Sequence, residues 1–358
     1  MAKYRVIYGD GEEPEKKQPI DDPERLLQTG GTQTFQLFSK QKENLFHIDR
    51  NSLVKNSVVT FPVYKQQGTA FSVALKADAA SPKKLTDEIL QNILNDSSFE
   101  ILIRKSDIPH YYEYLKTSPE GDSLPENEQI IRKAVLIKET SKVVVKDLFD
   151  DPRSGQKINE MKDSISQIVN ALHDSKDMIY SLMSLIKHDY YTYTHCVNVA
   201  VLAVGLGMRI GLNEEELSNI GIGAMIHDIG KTVIPADILN KQGKLNIDEY
   251  RRIKEHVREG RKILDETSGI PVEAYDAVLQ HHEKLSGKGY PFNLNGNDIS
   301  LFGRLTGIAD CYDSLTTSRP NRAAFDPFHA LMIISREKDD YDIKFLTEFI
   351  KMLGKIKS

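Results

Sequence analysis

The stretch Met225-Ile226-His227-Asp228-Ile229-Gly230-Lys231 decides how this chain is read. It closes an apolar helical pattern, where a His-Asp pair is a costly thing to bury without a purpose. Adjacent residues on a helix point about 100° apart, so His227 and Asp228 can hold two sides of one metal centre. A carboxylate has two oxygens and can bridge two cations; an imidazole serves one. Lys231 returns to the same face three and four residues on, unless Gly230 ends the helix first. A His-Asp pair alone is most often a satisfied polar pair, so its surroundings have to decide.

Working outward, five of the ten histidines fall between residues 195 and 282: His195, His227, His256, His281 and His282. His195 opens the apolar helical segment Val197–Met208. His256 lies on the charged segment Asp248–Leu264, and the pair His281-His282 ends a helical segment that begins at Pro271. Asp310 sits within Ile299–Leu315. Five imidazoles and two carboxylates gathered by a helical bundle make a nitrogen- and oxygen-rich pocket for at least two divalent metals, with Fe, Mn, Ni or Zn all suited. Two such metals about 3.5–4 Å apart share a hydroxide and take up charge from a phosphoryl oxygen, which is hydrolytic chemistry on a phosphate ester. Between His282 and Asp310 the glycines around Lys288 allow a tight loop, and Tyr290-Pro291 offers a rigid aromatic edge. Downstream, Arg319 and Arg322 put two guanidinium groups three residues apart, a spacing suited to phosphate oxygens.

The rest of the chain sets bounds. Its 358 residues suffice for two domains, and 40% apolar with 28% charged residues is ordinary for a globular protein. A net charge of -5 argues against binding a nucleic-acid polymer. Two cysteines make no disulfide framework, the N-terminus has no signal-peptide core, and the apolar run from Cys196 to Met208 is short for a membrane span. A cytoplasmic protein is expected. Segments Phe35–Phe38, Asn44–Ile48, Val58–Tyr64, Ala70–Lys76 and Phe99–Arg104 read as strands, and Leu85–Leu94 and Ile108–Leu115 as helices. They suggest a small α+β domain over 1–129, sensory or regulatory, in which the tyrosines of 111–114 are expected to pack rather than bind. After a polar loop the chain reads as helical: linker helices over 130–187, which could carry a signal or form a homodimer seam, then a helical domain over 188–358.

These motifs together resemble an HD-GYP domain, the cyclic di-GMP-degrading branch of the HD phosphohydrolase superfamily, from about residue 140 onward. The resemblance rests on His227-Asp228-Ile229-Gly230-Lys231, His281-His282-Glu283, Gly289-Tyr290-Pro291, Ile308-Ala309-Asp310-Cys311-Tyr312-Asp313 and Arg319-Pro320-Asn321-Arg322. It implies a mainly α, HD-type bundle and a bacterial signalling phosphodiesterase yielding pGpG, and GMP after a second cut. The implied ligands are His195, His227, His256, His281, His282, Asp310 and a bridging Asp228. Lys231 is implied at the scissile phosphate, and Gly289, Tyr290, Pro291, Arg319 and Arg322 around the nucleotide. A diguanylate cyclase or another signalling protein is an implied partner.

Ser286, Ser318 and Asn321 depart from the family's usual Asp, Asp and aromatic residue, and none of them is a ligand. A non-catalytic, metal-containing nucleotide-binding or interaction module, or a phosphohydrolase for another cyclic dinucleotide, are the other readings. Some members carry a Glu four residues before the first ligand histidine, where it helps hold a third metal. Here that position is Tyr191, and Asp189 lies six residues before His195. Two divalent ions per chain, Fe or Mn, are therefore expected.

Overall fold

The structure, a computed structural model, describes residues 35–36, 44–67, 70–96, 98–118, 125–175, 177–184, 192–241, 243–318, 323–337 and 339–354. Strands β1 (Phe35–Gln36), β2 (Leu45–Ile48), β4 (Val63–Gln67), β5 (Ala70–Leu75) and β7 (Glu100–Arg104) form one antiparallel sheet in the order β1-β5-β4-β7-β2. β3 (Val58–Val59) pairs separately with β6 (Lys83–Lys84). The expected strand Val58–Tyr64 is thus two strands. Proline has no N–H to donate, and Pro62 interrupts the ladder beside the buried Phe61. β6 has no apolar alternation, and its partner β3 alone reveals it.

Helix α1 (Asp87–Leu94) starts one residue after Thr86, whose hydroxyl caps the N–H of Ile89. In α2 (Ile108–Thr117), Pro109 occupies the first turn, where no N–H is needed. Tyr111 and Tyr114 are buried, each set edge-on to Phe61. The tyrosine cluster is therefore packing, as its sequence suggested.

From Glu126 the described chain is helical apart from turns and loops. Helix α3 (Glu126–Asp150) is followed by α4 (Gly155–Asp174), α5 (Met178–Ser184), α6 (Thr192–Ile210) and α7 (Glu214–Met225). The order continues with α8 (Ala236–Leu239), α9 (Ile247–Lys254), α10 (His256–Asp265), α11 (Tyr275–Gln280), α12 (Leu301–Thr316), α13 (Pro327–Arg336) and α14 (Ile343–Leu353). Mainly α with a small strand-bearing N-terminal region is the observed class. The single helix expected over Asp248–Leu264 is divided at Glu255 into α9 and α10.

One hydrophobic cluster runs from Ala134 on α3 to Leu353 on α14, and a second fills the sheet-bearing region, reaching Val143 on α3. α3 therefore belongs to both cores. α6 is longer than the apolar run in the sequence implied, at 19 residues, and is apolar enough to cross a membrane by composition. Most of it, 72% of its most apolar window, is buried against its neighbours, so it packs as the central helix of the bundle.

Candidate metal centre

The seven predicted donors come from five places and meet at one point. His195 stands in the first turn of α6. His227 and Asp228 lie just past the end of α7, in a turn that leads into the short 3-10 segment Ile229–Val233. This corrects the expectation that both ride on a helix. The helix stops at Met225, and the tighter turn aims the two side chains inward. Gly230 makes that turn possible, because a Cβ there would stand 1.8 Å from the carbonyl oxygen of His256. His256 opens α10, His281 and His282 follow the last residue of α11, and Asp310 sits within α12.

Hydrogen bonding fixes the tautomers. His227 Nδ1 donates to the Ala224 carbonyl at 2.7 Å, and His256 Nδ1 to the Ile253 carbonyl at 2.7 Å. His281 Nδ1 faces the carbonyls of Ala277 and Val278 at 3.1 and 3.0 Å, and His195 Nδ1 faces Asp313 Oδ2 at 2.7 Å. These partners only accept, so each Nδ1 carries its proton, and the neutral rings of His227, His256 and His281 turn an Nε2 lone pair inward. The His256 and His281 lone pairs face each other with Nε2 atoms 3.4 Å apart, and His195 and His227 Nε2 stand 3.2 Å apart. Two acceptors at that separation repel unless a positive charge lies between or beside them.

Carboxylates complete the arrangement. Asp228 Oδ2 is 3.5 Å from His227 Nε2 and 3.7 Å from His195 Nε2, while its Oδ1 is 3.3 Å from His256 Nε2. One carboxylate thus spans both sides of the cluster. Asp310 Oδ1 is 3.1 Å from His195 Nε2, and its Oδ2 is 3.7 Å from His282 Nδ1. The donors close up as His195, His227 and Asp310; as His256, His281 and His282; and as His227, Asp228 and His281. Within each group the ligand atoms lie within 4.8 Å of one another. Two triads joined by a two-sided carboxylate, all nitrogen and oxygen, fit a pair of divalent cations.

The electrostatics agree. Three buried carboxylates, Asp228, Asp310 and Asp313, line the cluster, and the Lys231 Nζ is 2.5 Å from Asp228 Oδ2. Burial opposes ionising Asp228, but Lys231 and the surrounding histidines outweigh it and hold the carboxyl well below its ordinary range. Asp310 is likewise lowered, by the His195 hydrogen bond and nearby imidazoles acting against burial. Burial lowers His256 and His281 to about 4 and also depresses His227 and His282, so these rings stay neutral. His195 alone moves up, to about 9, because hydrogen bonds to Asp310 and Asp313 overcome its burial.

The Gly289-Tyr290-Pro291 loop lies against this cluster. The Tyr290 ring stacks on His282 with centroids 4.6 Å apart, and the Lys254 ammonium stands 4.6 Å from the Tyr290 centroid. Gly289 is required by close approach, since a Cβ would stand 2.4 Å from Glu283 Cα. Buried Glu283 accepts from the N–H groups of Phe292 and Leu294 at 2.7 and 3.0 Å, tying the loop to the His281-His282 pair. Ser286, in place of the family's usual Asp, donates to Asp340. Arg319 and Arg322 lie outside the described residues, as do Tyr191 and Asp189. Sequence reasoning assigned no role to Asp313, Asn198 or Lys254. The signal for Asp313 was its offset of three from Asp310, one helical turn on the same face.

A family model described as "HD domain" matches residues 167–345. A cyclic di-GMP phosphodiesterase of Pseudomonas aeruginosa is 31% identical over 229 residues, covering 63% of this chain and 55% of that protein. A 3'3'-cGAMP-specific phosphodiesterase of Vibrio cholerae is 35% identical over 159 residues, covering 44% of this chain and 30% of that protein. The chain thus spans about half or less of the length of these curated relatives. Among solved structures, an HDG"Y"P protein from Bdellovibrio bacteriovorus superposes with a TM-score of 0.65 at 18% identity, covering 87% of this chain and all of that one. That likeness is one of fold.

Proposed function

The chain belongs to the HD-domain family, and from that premise we propose that it is a metal-dependent phosphodiesterase that hydrolyses cyclic di-GMP to pGpG, or to GMP if the site accepts pGpG for a second cut. The observation that carries the reading is the convergence of five imidazoles and two buried carboxylates, with the His256 and His281 Nε2 atoms turned toward each other, a donor set suited to cations. We assign two divalent ions per chain, Fe or Mn. His195, His227 and Asp310 would hold one and His256, His281 and His282 the other, with Asp228 between them. When bound, such a pair supplies Lewis acidity and a water acidified to near neutral pH.

The chain's own residues do the rest. Asp228 presents one oxygen to each side of the centre and keeps both charged at neutral pH. The Lys231 ammonium, one-quarter exposed beside that carboxylate, stands where it can neutralise charge building on a scissile phosphate. Gly289, Tyr290 and Pro291 form the rim on the His282 side, and burial raises the Tyr290 phenol above its ordinary value, keeping it neutral against a ligand. Arg319 and Arg322 are proposed as the guanidinium forks that hold the nucleotide's phosphates. We place the active domain at 188–358, coupling helices at 130–187 and a regulatory unit at 1–129, in a cytoplasmic protein.

The test is chromatography of cyclic di-GMP after incubation with anaerobically purified, metal-loaded protein. pGpG or GMP at catalytic turnover is expected, and an unchanged dinucleotide would leave a binding module as the reading. Relatives named for 3'3'-cGAMP favour a second substrate class, and competition between the two dinucleotides decides between them.

A further inference from the structure

Four of the clustered histidines have their Nδ1 anchored, and one anchor differs in kind. His227, His256 and His281 rest on backbone carbonyls three or four residues earlier in the chain. These anchors are uncharged and come with the local backbone. His195 rests instead on a side-chain carboxylate from another helix, Asp313 of α12, at 2.7 Å. Asp313 is fully buried, and Asn198, one turn after His195, donates to its other oxygen at 2.9 Å. Thr317 approaches Oδ2 at 3.4 Å. Asp313 is thus oriented from both sides and has no solvent to share its charge with. Asp310 and Asp313, one turn apart on α12, bracket the His195 ring, the first at Nε2 and the second at Nδ1.

Resting on the two-metal reading above, we propose that Asp313 is a positioning residue for one metal position only, the one built from His195, His227 and Asp310. It fixes the His195 tautomer, holds the ring plane and raises the basicity of Nε2. Among the described residues, the position built from His256, His281 and His282 has no such carboxylate behind it. His282 is supported by the Tyr290 ring, and His256 and His281 by neutral carbonyls. The two positions are therefore chemically unequal, and the inequality traces to one side chain.

Outer partners of this type are worth about 10- to 100-fold in metal affinity when lost. The experiment is a titration of the metal-free full chain with Mn2+ against a chromogenic chelator, for the native protein, Asp313→Asn and Asp313→Ala. Circular dichroism checks the fold. Asn keeps an acceptor for Nδ1 and loses the charge; Ala loses both.

The expected result is two binding steps in the native protein, one weakened about 10- to 100-fold by Asp313→Asn and further by Asp313→Ala, the other unchanged. Co2+ loaded to one equivalent should show an altered visible spectrum in Asp313→Asn. If Asp313→Asn matches the native protein at both steps, or weakens both alike, the selective role is wrong while the two-metal reading stands. A folded native chain that takes up no Mn2+ would remove both. Asp313→Asn keeps the test decisive should Asp313→Ala fail to fold.

Discussion

Buried polar groups are paired by opposite rules in the two halves of this molecule. In the sheet-bearing half, unlike meets unlike. The Tyr111 hydroxyl donates to Glu139 at 2.6 Å, and Glu139 is paired with Lys142 at 2.7 Å, both nearly inaccessible. The Tyr114 hydroxyl accepts from the Val54 N–H and bonds Ser57, each at 2.9 Å. In the metal centre, like faces like: the His256 and His281 lone pairs meet, and three buried carboxylates gather beside them. The pairs named in the sheet-bearing half are complete without help and only fix geometry. The metal centre is incomplete as protein alone, and that incompleteness is what marks a functional site.

The comparison breaks most sharply at the metal centre. Replacing His227 and Asp228 together with Ala removes a ligand from one side and the carboxylate common to both. Metal content and hydrolysis should both vanish. A double variant that keeps its metals by mass spectrometry and still turns over cyclic di-GMP would refute the assignment.

Glu139→Ala probes the other half. Removing one member of a buried pair strands Lys142 and typically costs about 3–5 kcal/mol. Chemical denaturation should show a loss of that size. Metal stoichiometry in the folded protein should not change, since Glu139 touches none of the cluster histidines. Loss of metal at unchanged stability would show that the halves do not differ in the way described.

Lys231→Ala is expected to be milder in energy and confined to rate. An ammonium that stabilises phosphate charge without ligating metal is worth about 10²–10³ in turnover. Metal content should survive, because Asp228 keeps its histidine neighbours. Steady-state kinetics beside metal analysis would check this, and unchanged kinetics would reduce Lys231 to a counter-ion for Asp228.

The same contrast explains what the sequence revealed. The donors were legible because His and Asp at helix boundaries in an apolar setting have few other uses, and because five of them recur within one window. The helix end at Met225 was not legible, since Ile226 and Ile229 continue the apolar period while the chain has already turned. Glu255 hid the break between α9 and α10, because a charged residue fits a helix or a joint equally well. Asp313 reads as part of the motif around Asp310 but draws no role of its own, because its partner is His195, which lies 118 residues earlier in the chain. In the sheet-bearing half, Tyr111 and Tyr114 announced packing and did pack, but nothing there announces a ligand, because every pairing just named closes on itself.

The smallest expected effect separates the two rules by pH. In the metal-free protein His195 titrates near 9, held there by its two carboxylates against burial, whereas an unfolded-chain histidine titrates near 6.5. A raised folded value means that the folded state binds the extra proton. The stabilisation is full below about 6.5 and is lost as pH rises through about 9. Between pH 7 and 8 the metal-free protein should therefore lose about 1 kcal/mol, the consequence of nearly one proton over one pH unit. His256 and His281, lowered to about 4, are neutral in the folded state across that window but about a quarter charged when unfolded at pH 7, so together they offset about 0.3 kcal/mol of that loss. Their loss of stability comes mostly as pH falls below about 6.5 toward 4. A bound cation takes the place of the His195 proton, so the metal-loaded protein should show no such slope. Asp313→Asn should reduce it in the metal-free protein, with Asp310 left to hold the rest, which distinguishes His195 from any other group titrating nearby. Denaturation curves at pH 7.0, 7.5 and 8.0, with and without Mn2+, supply the measurement. A slope that persists with metal bound would mean that the His195 proton is not its source, and one undiminished by Asp313→Asn would mean that Asp313 does not hold that proton.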